Sequence, residues 1–136
     1  MAISRTDVVF TVAVMLAAAL MLAIVVSAQP QDPPLDPRIA AYDKGAAKID
    51  VSKYPADMQA GYKLFATRCS KCHTIARAIN CEFALEDEWE RYVKRMMRKP
   101  GSGISASDGQ KIYEFLAFDS KTRKKALYEK KLKQIK

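Results

Sequence analysis

From Val8 to Val26 the chain reads VVFTVAVMLAAALMLAIVV, nineteen residues with Thr11 as the only polar side chain. At about 1.5 Å per residue a helix of this length reaches roughly 28 Å, near the ~30 Å hydrocarbon thickness of a bilayer. The pattern predicts a single membrane-spanning helix within residues 1–28. An export signal cut after Ala28 is the competing reading, because Val26-Ser27-Ala28 is a small-residue cleavage site. The stretch is longer than the usual signal core of about 7–15 residues, which favours a retained anchor.

The pattern then changes. Gln29 to Pro37 holds four prolines in nine residues, which excludes helix and predicts an extended spacer rising about 3.1 Å per residue. Residues 38–55 read as irregular and polar, so residues 29–55 are taken as a linker. Helical periodicity begins at Asp57–Arg68, where Met58, Tyr62 and Phe65 share a face. Gly61 interrupts this face, and a close approach by another helix is the expected reason. A second helix is predicted over Leu85–Arg98, with Leu85, Trp89, Val93 and Met96 or Met97 on one face. Pro100-Gly101-Ser102-Gly103 stops it. Ser105-Ala106-Ser107-Asp108 opens a third helix whose apolar face is Ile112, Phe115 and Leu116. No stretch alternates as a strand does. The expected organisation is an all-α domain over 56–119 followed by a tail over 120–136. A core of about 65 residues is marginal alone, so a buried cofactor is expected to complete it.

The candidate chemistry lies in Cys69-Ser70-Lys71-Cys72-His73, the attachment pattern of a c-type haem. Read as helix, spacings of three and four bring both thiols and the imidazole to one side of a planar ligand. Cys69 and Cys72 are then the covalent attachment points and His73 the proximal iron ligand. A zinc site fits less well. Neighbouring Cys72 and His73 diverge by roughly 100° on a helix, and no second ligand pair accompanies them. A thioredoxin-like redox pair lacks its βαβ context.

His73 is the only histidine of the 136 residues, so a bis-histidine haem is excluded. No second imidazole is left for acid–base catalysis either. Met96 on the Trp89–Val93 stripe is the expected sixth ligand. Met97, about 100° around the helix, is the alternative, and an open or lysine-ligated iron a further one. Cys81, flanked by Phe83 and Leu85, is left over and is expected to be buried; a cross-link to a partner is the other possibility.

The net charge of +8 belongs to the end of the chain. Residues 121–136 hold eight basic residues and one acid, whereas residues 1–120 hold fifteen and fourteen. Leu127, Tyr128, Leu132 and Ile135 make a weak stripe, predicting a basic helical tail. It would lie against anionic lipid, against an acidic subunit, or in solvent. Around the haem edge, Lys71, Arg77, Lys94, Arg95, Arg98 and Lys99 could ring the opening and steer acidic redox partners; pairing of the arginines with the haem propionates, or with Glu86, Asp87 and Glu90, is the equal alternative.

Gly61-Tyr62-Lys63-Leu64-Phe65 before the pentapeptide, the Trp89…Val93…Met96 stretch, and Ile112 and Leu116 in the final helix resemble class I monohaem cytochrome c domains. Residues 89–105, WERYVKRMMRKPGSGIS, are similar to the cytochrome domain of green-sulfur-type photosynthetic reaction centres. The resemblance implies a few helices around one haem c, with the N- and C-terminal helices crossing near Gly61, and one-electron transfer through an exposed haem edge. The expected function is a membrane-tethered electron carrier rather than an enzyme. It would be a subunit of, or a donor to, a photosynthetic reaction centre or respiratory complex, in the inner membrane with its haem domain on the periplasmic side. Nucleic acid is not an expected partner. A haem-based gas-binding or sensor module with an open sixth site is the alternative function.

Overall fold

The computed structural model describes residue 15 and residues 34–135. It divides into two compact units, Met1–Pro34 and Leu35–Lys136. The expected span Val8–Val26, the cleavage site at Ala28 and the spacer 29–33 lie outside the described residues. Among the described residues no helix is long and apolar enough to cross a membrane.

Six helices order the second unit: α1 Pro37–Asp43, α2 Ala56–Cys69, α3 Ala76–Asn80, α4 Glu86–Met97, α5 Ala106–Thr122 and α6 Lys125–Gln134. No strand occurs among the described residues, as the periodicity leads one to expect.

Local chemistry explains where they start and stop. Asp36 caps α1, accepting from the Arg38 N–H at 2.8 Å, and Pro37 supplies a pre-set φ in the first turn. Glu86, Asp87 and Glu88 fill the first turn of α4 and Lys94 and Arg95 its last, matching charge to the helix dipole at both ends. The Glu88 carboxylate also reaches back to the N–H groups of Ala84 and Leu85, both at 2.9 Å. After α4, Gly101 and Gly103 adopt φ of 72° and 60°, left-handed geometry that turns the chain toward Ser105. Ser105 Oγ then accepts from the Asp108 N–H at 3.0 Å and starts α5.

α5 packs against both α2 and α4. Gly61 is where α2 meets α5: a Cβ there would sit 2.9 Å from Phe115 Cβ and 3.2 Å from the Lys111 carbonyl. Phe65 and Phe115, both fully buried, stack with ring centres 5.7 Å apart beside this crossing. On the other side Trp89 is 1% exposed, and its indole N–H donates to Ser120 Oγ at 2.8 Å, so the one polar atom of the largest core residue is satisfied.

The packed unit reaches further in both directions than the periodic pattern shows. Residues 38–55, read as irregular linker, contain α1, and Tyr42, Ile49, Val51 and Tyr54 pack on the core. The physical reason is that these apolar residues are too sparse to repeat at any period. They reach the core as isolated side chains rather than as a stripe. Downstream, Asp119 and Ser120 are buried. Asp119 accepts from the Tyr54 hydroxyl at 3.0 Å and pairs with the Arg123 guanidinium at 2.6 Å, which in turn donates to the Ile79 carbonyl at 3.3 Å. One buried carboxylate thus joins the start, middle and end of the unit.

The basic tail is helical, as expected, but much of its charge is used within the molecule. Lys121 pairs with Glu86 and Lys131 with Glu88, each at 2.5 Å. Tyr128 donates to Glu86 at 3.1 Å. α6 therefore caps the acidic first turn of α4.

Candidate functional site

Helix α2 ends at Cys69, and the turn that follows carries Cys72 and His73. This corrects the helical reading of the pentapeptide. Ser70 still has helical backbone angles and its N–H donates to the Ala66 carbonyl, but the chain then turns away. The three side chains converge because the turn folds back, not because a helix stacks them.

They meet on the wall of one cavity of about 630 Å³, within the range of sites that hold a large organic group. Cys69, Cys72 and His73 line it from the α2 side, and Tyr92 and Met96 line it from α4. The two sides come together because α5 packs against both helices. Cys69 is partly buried and Cys72 exposed. Burial, with the nearby Cys72 thiol adding to it, pushes the Cys69 thiol up to about 11, so it stays a neutral S–H.

His73 Nδ1 lies 2.9 Å from the Thr74 carbonyl oxygen. A carbonyl only accepts, so Nδ1 carries the proton and donates. In the neutral ring this leaves the Nε2 lone pair free, the tautomer a metal requires.

The methionines part company. Met96 lines the cavity. Met97 is absent from its wall and presses instead on α5: a Cβ built on Gly109 would meet Met97 Cε at 3.2 Å and Cγ at 3.4 Å. Roughly 100° of helix separates the two side chains, and Gly109 provides the niche that takes one of them.

Cys81 is 9% exposed, as expected for the odd thiol. It lies on the same cavity wall, and its S–H donates to the Ala78 carbonyl at 3.2 Å. Burial pushes its pKa up, which keeps it unreactive.

Of the cationic residues expected around the opening, Arg77, Arg95 and Lys99 line it, joined by Arg38 and Arg68. Lys94 pairs with Glu90 at 2.6 Å and takes no part. Sequence reasoning missed one whole wall, formed by Leu35, Ile39 and Tyr42 of α1 and the residues before it. Pro37 after Asp36 was the available signal, a capped helix start inside a segment read as linker.

A haem c suits this lining. Apolar side chains from α1, α4 and the Phe83 loop match a porphyrin face. The side-chain polar atoms that are buried without a partner among the described residues are Tyr92 Oη and Arg68 Nε. Both are donors, and both belong to residues of this wall. A ligand bearing carboxylates supplies the acceptors that they lack.

Comparison with known proteins agrees with this chemistry. A family model described as photosystem P840 reaction-centre cytochrome c-551 matches residues 38–119. A curated protein of Chlorobaculum tepidum (strain ATCC 49652 / DSM 12025 / NBRC 103806 / TLS), named cytochrome c, is 40% identical over 75 residues, covering 52% of this chain and 36% of the relative. The match thus spans about a third of that protein's length. No solved structure matches the chain.

Proposed function

Because the chain belongs to the photosystem P840 reaction-centre cytochrome c-551 family, we propose that it is a membrane-tethered cytochrome that holds one haem c and passes single electrons to or within a photosynthetic reaction-centre complex. The observation that carries this reading is the shared cavity wall that brings Cys69, Cys72 and His73 together with Met96.

Cys69 and Cys72 would hold the haem through thioether bonds. His73 would bind its iron through Nε2, with the Thr74 carbonyl fixing the imidazole through Nδ1–H. Met96 would supply a soft, neutral sixth ligand of the kind that raises a haem potential. A haem c held by these residues supplies a reversible one-electron couple. The remaining work of the chain is to orient these ligands, to exclude water from the cavity, and to present cationic residues at its opening. Arg38, Arg95 and Lys99 there favour an acidic partner surface. Val8–Val26 would anchor the chain in the inner membrane, with the packed domain on the periplasmic side.

The test is direct. Purified chain is denatured and extracted with acid acetone, and the polypeptide is weighed and its spectrum taken. Haem mass and absorbance that stay with the polypeptide support the reading, and their absence ends it. Detergent extraction followed by native electrophoresis, with mass identification of co-migrating chains, tests the complex. Reaction-centre subunits in the same band are the expected result.

A further inference from the structure

Helix α1 forms part of the cavity wall, and only partly buried side chains such as Tyr42 join it to the core. Ile39 and Tyr42 line the cavity, yet no residue of α1 is buried. Apolar packing alone holds such a short, half-exposed helix weakly.

Two polar ties hold it. The Arg77 guanidinium clasps the Asp43 carboxylate at the C-terminal end of α1, Nε to Oδ1 at 3.0 Å and Nη2 to Oδ2 at 2.5 Å. This fork-to-fork pairing fixes orientation as well as distance. The Asn80 side-chain amide, whose two N–H groups are shared with the Ala76 carbonyl of its own helix at 2.8 Å, reaches the Tyr42 carbonyl at 3.1 Å and the Ala46 carbonyl at 3.0 Å. Gly45 leaves the room for this, because a Cβ there would collide with that amide. Both ties run to α3, which follows directly on His73-Thr74-Ile75, and Arg77 itself lines the cavity. The clasp therefore sits where the α1 wall meets the segment bearing the imidazole.

We propose that Asp43 and Arg77 are positioning residues of the redox site: their pairing holds α1 closed as an apolar wall, and this wall keeps water from the bound haem and holds its reduction potential up. The inference rests on the haem reading above. The physical basis is that water and its dipoles stabilise the more highly charged oxidised iron, so excluding water favours the reduced form. Neither residue contacts iron in this account; both act through the placement of Ile39 and Tyr42.

The experiment uses full-length holoprotein, with hydrogen exchange read by mass spectrometry and potential read by spectroelectrochemical titration. Asp43→Asn and Arg77→Gln should each raise exchange over residues 37–43 about tenfold, with α2 and α5 unchanged, and each should lower the potential. The double exchange Asp43→Arg with Arg77→Asp should move both readouts back toward wild type. Ile39→Asn leaves the clasp intact; it should lower the potential with little change in exchange. It also serves if the clasp variants fail to assemble. An α1 that opens at unchanged potential overturns the proposal, and so does an Ile39→Asn protein with wild-type potential. Unchanged exchange in both clasp variants removes the clasp. Acid-acetone extraction of the same wild-type sample separates the two failures: loss of haem sinks the underlying reading, whereas retained haem with unmoved potentials sinks this inference alone.

Discussion

The Lys124 ammonium donates to the Cys81 carbonyl at 2.7 Å and to the Phe83 carbonyl at 3.2 Å, and lies 5.3 Å from the centre of the Trp89 ring. A cation of the basic tail thereby holds the loop that carries Cys81 and Phe83 on the cavity wall. Burial pulls the lysine pKa down, but the two carbonyls and the ring face give the ammonium the partners that burial demands.

Removing that cation should loosen the loop. Lys124→Met keeps the length of the side chain and loses both hydrogen bonds. Urea unfolding of the holoprotein should show a loss of about 1.5–3 kcal/mol, the range for a hydrogen bond made by a charged group. Lys133→Met, on the exposed part of α6, should change stability by less than about 0.5 kcal/mol.

The two methionines should separate cleanly. Met96→Ala should abolish the sulfur-to-iron charge-transfer band at the red end of the oxidised spectrum. Met97→Ala should keep the band and cost about 2 kcal/mol of stability, the low end for a truncated methionine, because it empties the niche against Gly109. A band lost in Met97→Ala and kept in Met96→Ala would transfer the ligand role.

Gly61→Val should destabilise the fold by about 1–3 kcal/mol. The new side chain meets the Phe115 Cβ and the Lys111 carbonyl, both part of the α5 helix body rather than the end of a flexible chain. Thermal unfolding checks this. An unchanged midpoint would show that α2 and α5 do not approach as closely as described.

Acid should release the tail from α4. Burial by itself pushes the Glu88 carboxyl up, but the Ala84 and Leu85 N–H groups and the Lys131 ammonium outweigh it, and the net shift is below the ordinary 4.5. The folded state then binds this proton less tightly than the unfolded state. Glu88 therefore contributes its full stabilisation above 4.5 and loses it as pH falls through the lower folded value. Urea midpoints measured from neutral pH downward should fall more steeply below 4.5 in wild type than in Glu88→Gln, which has no proton to gain.

Some of this was legible in the chain itself. The pentapeptide could be read because its chemistry is local, with five adjacent residues naming both a cofactor and its attachment. Helices α2, α4 and α5 could be read because Tyr62 with Phe65, Trp89 with Val93, and Ile112 with Leu116 repeat at helical spacing. Helix α1 escaped because Ile39 and Tyr42 lie among charged residues in a proline-rich neighbourhood. The roles of Lys121, Lys124 and Lys131 escaped because their partners lie 35 to 43 residues away.

By itself, then, the order of residues determined an all-helical packed domain and the kind of cofactor that suits it. Periodicity and ligand spacing act over a few residues and survive in one dimension. Only the folded arrangement decided which of two adjacent methionines faces the cavity, that a supposed linker is one of its walls, and that a basic tail closes on the acidic start of a helix. Each of these depends on which distant surfaces meet: α5 on α2 and α4, α1 on α3, and α6 on the first turn of α4.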